Sequence, residues 1–360
     1  MTSELFIVAV TISIPTLEEF LDKSAAERID WVNSSEGLTA GIRGRLELFL
    51  SFARPRTCLP GMLAFCLSIK MLGLSIDLDV LIGFAITFLY SAVANLFNGY
   101  SDVAEDNENL PARLYLLGLY GRRRLLRSAY AVCLLMLALA ALVGPIFLGM
   151  TAICVVIAHQ YSLPPFRVKA RPILSIALFA LDVAFPFLMA PAVSKHGPAV
   201  LGNWPFILMA VYLFAWFAAK GLVKNLPDYY GDRNAGLVTS ATLSRTRLRA
   251  AIVAAAGTIV VYSGPLFLVA SGQFAEKYLL TLLWFPIVCV QCARMILRDD
   301  SQSANNMLRA DMVVSTGYLS TWILLVDPSV SSVSIVIGSL IIIFLMDALK
   351  LDTRRKKDVA

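Results

Sequence analysis

The chain has 360 residues, of which 58% are hydrophobic and only 16% charged, with a formal net charge of +6 and a mean hydropathy of +0.73. Soluble domains carry roughly 25% charged residues, so this composition excludes a disordered chain, a nucleic-acid reader and an ordinary soluble enzyme. It points to membrane-spanning helices, because in lipid every backbone polar group must be bonded internally, and the apolar runs are longer than barrel strands and do not alternate.

Leu5 to Trp31 reads as a cytoplasmic or interfacial lead-in: its apolar part is short, lacks a basic flank and contains Pro15, whereas a span needs about 20 residues. Runs of spanning length follow at Leu46–Leu74, Leu78–Asn98, Leu125–Val143, Pro145–Tyr161, Ile173–Val193, Trp204–Lys224, Leu248–Ala270, Tyr278–Leu297, Met307–Val326 and Val330–Leu349. Arg309 and Asp311 near the start of the ninth run leave a count of nine to ten. The expected fold is therefore an all-α, polytopic membrane helix bundle, with a lead-in over 1–45, a membrane domain over 46–349 and a basic tail over 350–360. The six cysteines lie in or beside apolar runs and read as small buried hydrophobes.

With a cytoplasmic N-terminus and ten spans, all but Lys70, Lys195 and Lys277 of the 31 lysines and arginines fall on the cytoplasmic side, which is the expected bias. Both termini are then cytoplasmic. The long connections, Asn98–Arg124 and Asn225–Arg247, face the same side. Long polar connections are where function gathers, so the mouth of the active site is expected there.

The second predicted helix leaves the membrane through NGYSDVAED, which spaces Asn98, Asp102 and Asp106 by four. If the helix continues, all three share one face. The sixth leaves through KNLPDYYGD, with Asn225, Asp228 and Asp232. One such pair fits a solvated helix end. Two pairs at matching ends of a bundle imply four facing carboxylates, which demand compensating charge. Mg²⁺ with oxygen ligands supplies it, typically together with phosphate oxygens. Cations stand nearby in sequence: Arg54 in ARPRT; Arg167 and Lys169 in YSLPPFRVKARP, where Pro164–Pro165 predicts extended backbone with both side chains on one side; and Lys220 and Lys224, which continue the four-residue row of Asp228 and Asp232 up to a kink at Pro227. Asp182 lies midway along the fifth run, and an intramembrane acid is a functional candidate by default; it is placed to orient an acceptor, take its proton or pair with Lys220. Tyr161, Phe97, Phe166 and Tyr229, close to the motifs in sequence, are candidate walls for a carbocation.

NGYSDVAED and DYYGDRNAG resemble the two aspartate motifs of the UbiA superfamily of intramembrane prenyltransferases, YSLPPFRVKARP resembles that family's Y-S-x-P-P-x-R-x-K segment, and ARPRT its first-helix entry. The resemblance implies a helical bundle around a central cavity. It also implies Mg²⁺ held by Asp102, Asp106, Asp228 and Asp232 against an isoprenoid diphosphate donor, with Asn98, Arg54, Arg113, Tyr161, Arg167, Lys169, Lys220, Lys224 and Asn225 around the substrates and Asp182 in the cavity. The implied activity is transfer of the prenyl group to a small, aromatic or quinone-like acceptor within the bilayer. Cyclisation of the donor without an acceptor is the alternative, and an ion-coupled transporter is a third reading from another class. The chain departs from the family pattern at Gly99, where many members carry aspartate, and in NLPARLYLLG, where Arg113 alone matches a usual basic stretch.

Overall fold

The computed structural model describes residues 14–37, 41–193, 202–234, 236–299, 301–349 and 351. The start of the lead-in (1–13), the outer loop with Lys195, and the tail from 352 lie outside the described residues. The chain is all-helical, with no strand among the described residues. The helices are α1 (Leu17–Leu21), α2 (Ala25–Ser34), α3 (Ile42–Ala53), α4 (Pro55–Met71), α5 (Leu78–Ser101), α6 (Val103–Asn109), α7 (Pro111–Tyr120), α8 (Arg122–Val143) and α9 (Pro145–Ser162) in the first half. The second half has α10 (Pro172–Met189), α11 (Trp204–Lys224), α12 (Tyr229–Asn234), α13 (Arg247–Tyr262), α14 (Gly264–Ala270), α15 (Phe285–Leu297), α16 (Ser301–Val326) and α17 (Val330–Ala348).

Eight helical stretches are long and apolar enough to cross a bilayer. α4, short at 17 residues, and α16, which carries charge, pack among them, in keeping with the expected nine to ten spans. The run expected as one helix over Leu46–Leu74 is two. Arg54 takes a left-handed conformation (φ 51°) between α3 and α4, because Pro55 disfavours helical geometry in the residue before it and sits well at a helix start. The spans containing α13 and α15 are also subdivided: Gly264–Pro265 restarts the first as α14, and a 3₁₀ segment, Glu276–Trp284, precedes Pro286 in the second. α8 and α9 meet at Gly144 with almost no loop, as expected.

Two apolar cores share α4. One gathers side chains of α10, α11, α13, α15 and α16, and the other those of α5, α8 and α9 with the N-terminal helices. Among the eight spans the most enclosed are α5 and α11, the two that end in the aspartate motifs. α8, by contrast, turns Leu134 and Leu142 outward, as a lipid-facing helix does. α17 lies against α4 and α16. Asp347 pins one of its ends to Arg56 and Arg309, and Lys70 reaches Asp327 at 2.8 Å beside the other. Capping boxes at Thr16 and Ser24 start α1 and α2, which fold over α6 and α7 and so brace the first aspartate motif from outside the spans.

Candidate active site

α5 stops at Ser101 and α6 starts at Val103, so the helix expected to run through the first motif breaks at Asp102. The i→i−4 bonding persists across the break: Asp102 N–H donates to Asn98 O (3.0 Å) and Asp106 N–H to Asp102 O (2.7 Å). Asn98, Asp102 and Asp106 therefore still line one cleft. At the second motif Pro227 ends the row, and a turn separates α11 from α12, where Asp232 N–H bonds Asp228 O at 2.8 Å. Both aspartates line the same cleft as the first motif. Gly231 permits this approach of α12 to α6, since a Cβ there would overlap the Asn109 side chain. Asn109 in turn donates its amide to Asp232 at 3.3 Å.

The cleft joins acids to cations. Lys169 is ion-paired with Asp102, lies 3.2 Å from Glu105, and donates to Ser101 at 3.1 Å. Arg167 reaches Glu105 at 2.6 Å, and buried Arg113 reaches Asp106 at 3.0 Å. Backbone geometry differs from the extended strand expected here: Pro164–Pro165 is a cis turn, Arg167 is left-handed and Val168–Ala170 is a 3₁₀ turn. Arg167 and Lys169 nevertheless converge, because both bind Glu105. Lys224 stands beside Tyr161, donating to its hydroxyl at 3.3 Å, with Phe179 below its ammonium at 4.6 Å. Asn225 lines the cleft and donates to Ser240 at 2.7 Å.

The electrostatics of the two motifs differ. Burial opposes ionisation of Asp102, but Lys169 and Arg113 outweigh it and hold the carboxyl below its ordinary value. Burial likewise opposes the charge on Lys169, yet Asp102 and Glu105 hold its ammonium above the usual lysine value. Asp232 moves the other way: burial and the neighbouring Asp228 push it up to about 7.

The donor set suits a hard divalent cation, which takes oxygen ligands. Among the described residues Glu105 Oε2 is buried with no hydrogen-bond partner, and Asp232 is held up by a like charge; a cation in the cleft relieves both. As the side chains stand, however, no three acidic, histidine or cysteine groups among the described residues cluster closely enough to hold an ion. Asp102 and Asp106 are turned onto Lys169 and Arg113, so four-carboxylate ligation requires them to exchange partners.

An apolar cavity of about 140 Å³ adjoins the cleft. Arg54, Asn98, Tyr161 and Lys224 line both. Asp182 is in the cavity wall and not in the acidic cleft; Ser91 Oγ donates to it, 2.9 Å from either carboxylate oxygen. Lys220 also lines the cavity, not the cleft. Its partner is Asp311 at 2.5 Å, not Asp182, and Tyr262 lies 4.7 Å beneath the ammonium. The proposed carbocation walls are largely displaced. Tyr161 faces the cavity, but Phe97 is buried against Tyr130 and His159, Phe166 is exposed, and Tyr229 is buried, donating its hydroxyl to Ser244 O. Tyr90, Phe179 and Phe217 line the cavity instead.

Sequence reasoning passed over Glu105, Asn109, Asp311 and Ser91. Glu105 and Asn109 each lie three residues beyond a motif aspartate, on the same helical face, so the spacing that singled out Asp102 and Asp106 could have found them. Asp311 was visible as a charge inside an apolar run.

The sequence pattern of the UbiA prenyltransferase family matches residues 58–317. Digeranylgeranylglyceryl phosphate synthase of Methanothermobacter thermautotrophicus is 25% identical over 279 residues, covering 76% of this chain and 93% of its own. Lycopene elongase/hydratase of Halobacterium salinarum is 26% identical over 266 residues, covering 64% and 86%. The solved structure of a UbiA homolog from Archaeoglobus fulgidus bound to GPP and Mg²⁺ shares the fold, with a TM-score of 0.55 at 18% identity over 78% of this chain and 99% of that one. The chain belongs to the UbiA prenyltransferase family and is an integral, multi-pass membrane prenyltransferase. α17, held against α4 and α16, lies beyond the matched stretch.

Proposed function

We propose that this UbiA-family prenyltransferase ionises an allylic isoprenoid diphosphate in the acidic cleft, with Mg²⁺, and passes the prenyl group to a small acceptor in the adjoining cavity. The observation that carries this reading is the junction: a cleft of carboxylates and cations opens onto an apolar cavity through shared Arg54, Asn98, Tyr161 and Lys224. That arrangement suits a molecule with a polyanionic head and a hydrocarbon tail. Asp102, Asp106, Asp228 and Asp232 would hold the metal, which would supply charge neutralisation for the diphosphate.

The chain's own residues account for the rest. Lys169, Arg167, Arg54 and Lys224 take diphosphate oxygens, and their fixed positive charge counts most as the C–O bond breaks and negative charge builds on the leaving group. Tyr161, Phe179 and Phe217 border the tail, exclude water and offer ring faces to the allylic cation, at about 0.5–2 kcal/mol each. Asp182, oriented by Ser91, takes the proton that the acceptor loses. An aromatic or quinone-like acceptor meets that need, and the relatives named for digeranylgeranylglyceryl phosphate and lycopene extend the range to acceptors without an aromatic ring. The excess of lysine and arginine in the connections on the side of the cleft supports a cytoplasmic mouth.

The test is a product screen. Purified protein in lipid nanodiscs is incubated with prenyl diphosphates of several lengths and Mg²⁺, with and without candidate acceptors, and products are read by mass spectrometry. Transfer requires an acceptor-dependent adduct together with pyrophosphate release. A cyclic hydrocarbon or terpene alcohol formed without acceptor means cyclisation instead.

A further inference from the structure

One groove on the molecule lies apart from the active site. It has a volume of about 670 Å³, lies between α13, α15 and α16, and shares no lining residue with the acidic cleft or the inner cavity. Chain order puts it at the same membrane face as the aspartate motifs: α11 ends at that face, α13 starts there, and α15 returns to it before α16 departs. Its floor is apolar, with Val290, Met307 and Val313 facing it. Its rim is basic. Arg294 and Arg298 are exposed and four residues apart at the end of α15, hence on one face. Arg247 enters from the start of α13 and is buried, with Asp299 at 3.3 Å and Met295 O accepting from it at 3.4 Å. Among the described residues neither Arg294 nor Arg298 has an ion-pair partner.

We propose that this groove is a binding site for one anionic phospholipid of the adjacent leaflet, its phosphate on Arg294 and Arg298 and its acyl chains along the apolar floor. The pairing of chemistry to depth is what selects a lipid. A soluble anion would leave the apolar floor uncovered, and a zwitterionic lipid brings the same phosphate but sets a quaternary ammonium beside the two guanidinium charges. Arginine suits a phosphate because its planar donors bind two oxygens at once. α16 is the shared wall: Met307 and Val313 face the groove while Leu308, Asp311 and Met312 face the inner cavity. A lipid seated here therefore packs against the helix that carries the partner of Lys220.

Wild-type protein is reconstituted in vesicles of equimolar phosphatidylglycerol and phosphatidylcholine, extracted in mild detergent, and the retained lipid is counted by native mass spectrometry. Phosphatidylglycerol should be retained about tenfold over phosphatidylcholine. R294Q/R298Q should lose that preference, since two arginines near a membrane surface together account for a tenfold effect or more. The control is R123Q/R127Q, which removes two exposed arginines, also four apart, at the start of α8; it should retain the wild-type preference. Both variants must elute as the wild type does on size exclusion. Equal retention of the two lipids by wild type, unchanged selectivity in R294Q/R298Q, equal loss in the control, or phosphate-mass adducts without lipid would each overturn the proposal.

Discussion

Lys169 is where the structure makes the sharpest demand on the mechanism. Its side chain is 13% exposed and its ammonium touches Asp102, Glu105 and Ser101. A unit charge about 4 Å from a diphosphate oxygen is worth about 4 kcal/mol at an effective dielectric of 20. Only the part that grows as the leaving group gains charge lowers the barrier. Losing one preorganised donor of this kind typically costs 10²–10³ in kcat, about 2.7–4 kcal/mol. Lys169→Ala should therefore lower kcat for pyrophosphate release by roughly that factor at saturating Mg²⁺. Lys169→Arg should keep the charge but misplace it, for a loss of about tenfold, because a planar fork does not replace a compact ammonium. The assay is continuous pyrophosphate detection in nanodiscs, with thermal melting to establish that each variant is folded. A rise in KM alone would mean that Lys169 binds ground state and transition state equally. A second series separates catalysis from local neutralisation. Glu105→Gln in the Lys169→Ala background removes a carboxylate that has lost one of its two cations and keeps Arg167, so it should recover part of the thermal stability without recovering kcat. A folded Lys169→Ala enzyme with kcat within threefold of wild type refutes the assignment.

Asp102→Asn and Asp228→Asn should each abolish detectable turnover while the protein still inserts in membranes and melts within a few degrees of wild type; full activity in both variants would defeat the two-motif site. Asp232, held up to about 7 by burial and Asp228, binds a proton in the folded state that the unfolded chain has already released. The apo protein should therefore lose stability as pH rises from about 4 to about 7. Mg²⁺ should raise the melting temperature more at pH 7.5 than at pH 5.5, and Asp228→Asn should shift that dependence to lower pH; an Mg²⁺ effect independent of pH would count against ligation by Asp232. Lys220 and Asp311 are a buried pair with side chains 4% and 8% exposed, so Lys220→Met should cost about 3–5 kcal/mol. Asp311→Asn should cost less, because the orphaned ammonium keeps the ring faces of Tyr262 and Trp216. The double variant should recover much of the loss, and additive effects in a double-mutant cycle would show the pair to be uncoupled.

Hydropathy and spacing made the helical class, the approximate spans and the two aspartate motifs legible, because each depends on local periodicity. What they missed depends on backbone breaks and on partners distant in the chain. Pro55 was visible, yet the reading ran one helix from Leu46 to Leu74 through the residue where Arg54 turns left-handed. The row from Lys220 to Asp232 was expected to kink at Pro227, and what spacing did not give is that the break there leaves Lys220 facing a different chamber from Asp232. The partner of Lys220 comes from α16, remote in sequence. Proximity in sequence likewise chose Phe97, Phe166 and Tyr229 as cavity walls, whereas side-chain direction on three separate helices chose Tyr90, Phe179 and Phe217.

The asymmetry between the two motifs bears on what each half of the bundle contributes. The first motif arrives with its own cations: Asp102 on Lys169, Asp106 on Arg113, and Glu105 between Lys169 and Arg167. At the second, Asp232 has a neutral amide from Asn109 and a like-charged neighbour in Asp228. A buried carboxylate beside another is costly until a positive charge enters. On the proposed reading, positive charge drawn to the second motif relieves a repulsion already built into the fold. Positive charge drawn to the first must displace Lys169 and Arg113 from their carboxylates. Cations displaced in that way are released beside the diphosphate, where Lys169 is most useful. On that reading, the ion pairs of the first motif hold in place, before substrate arrives, the charges that a departing diphosphate would require.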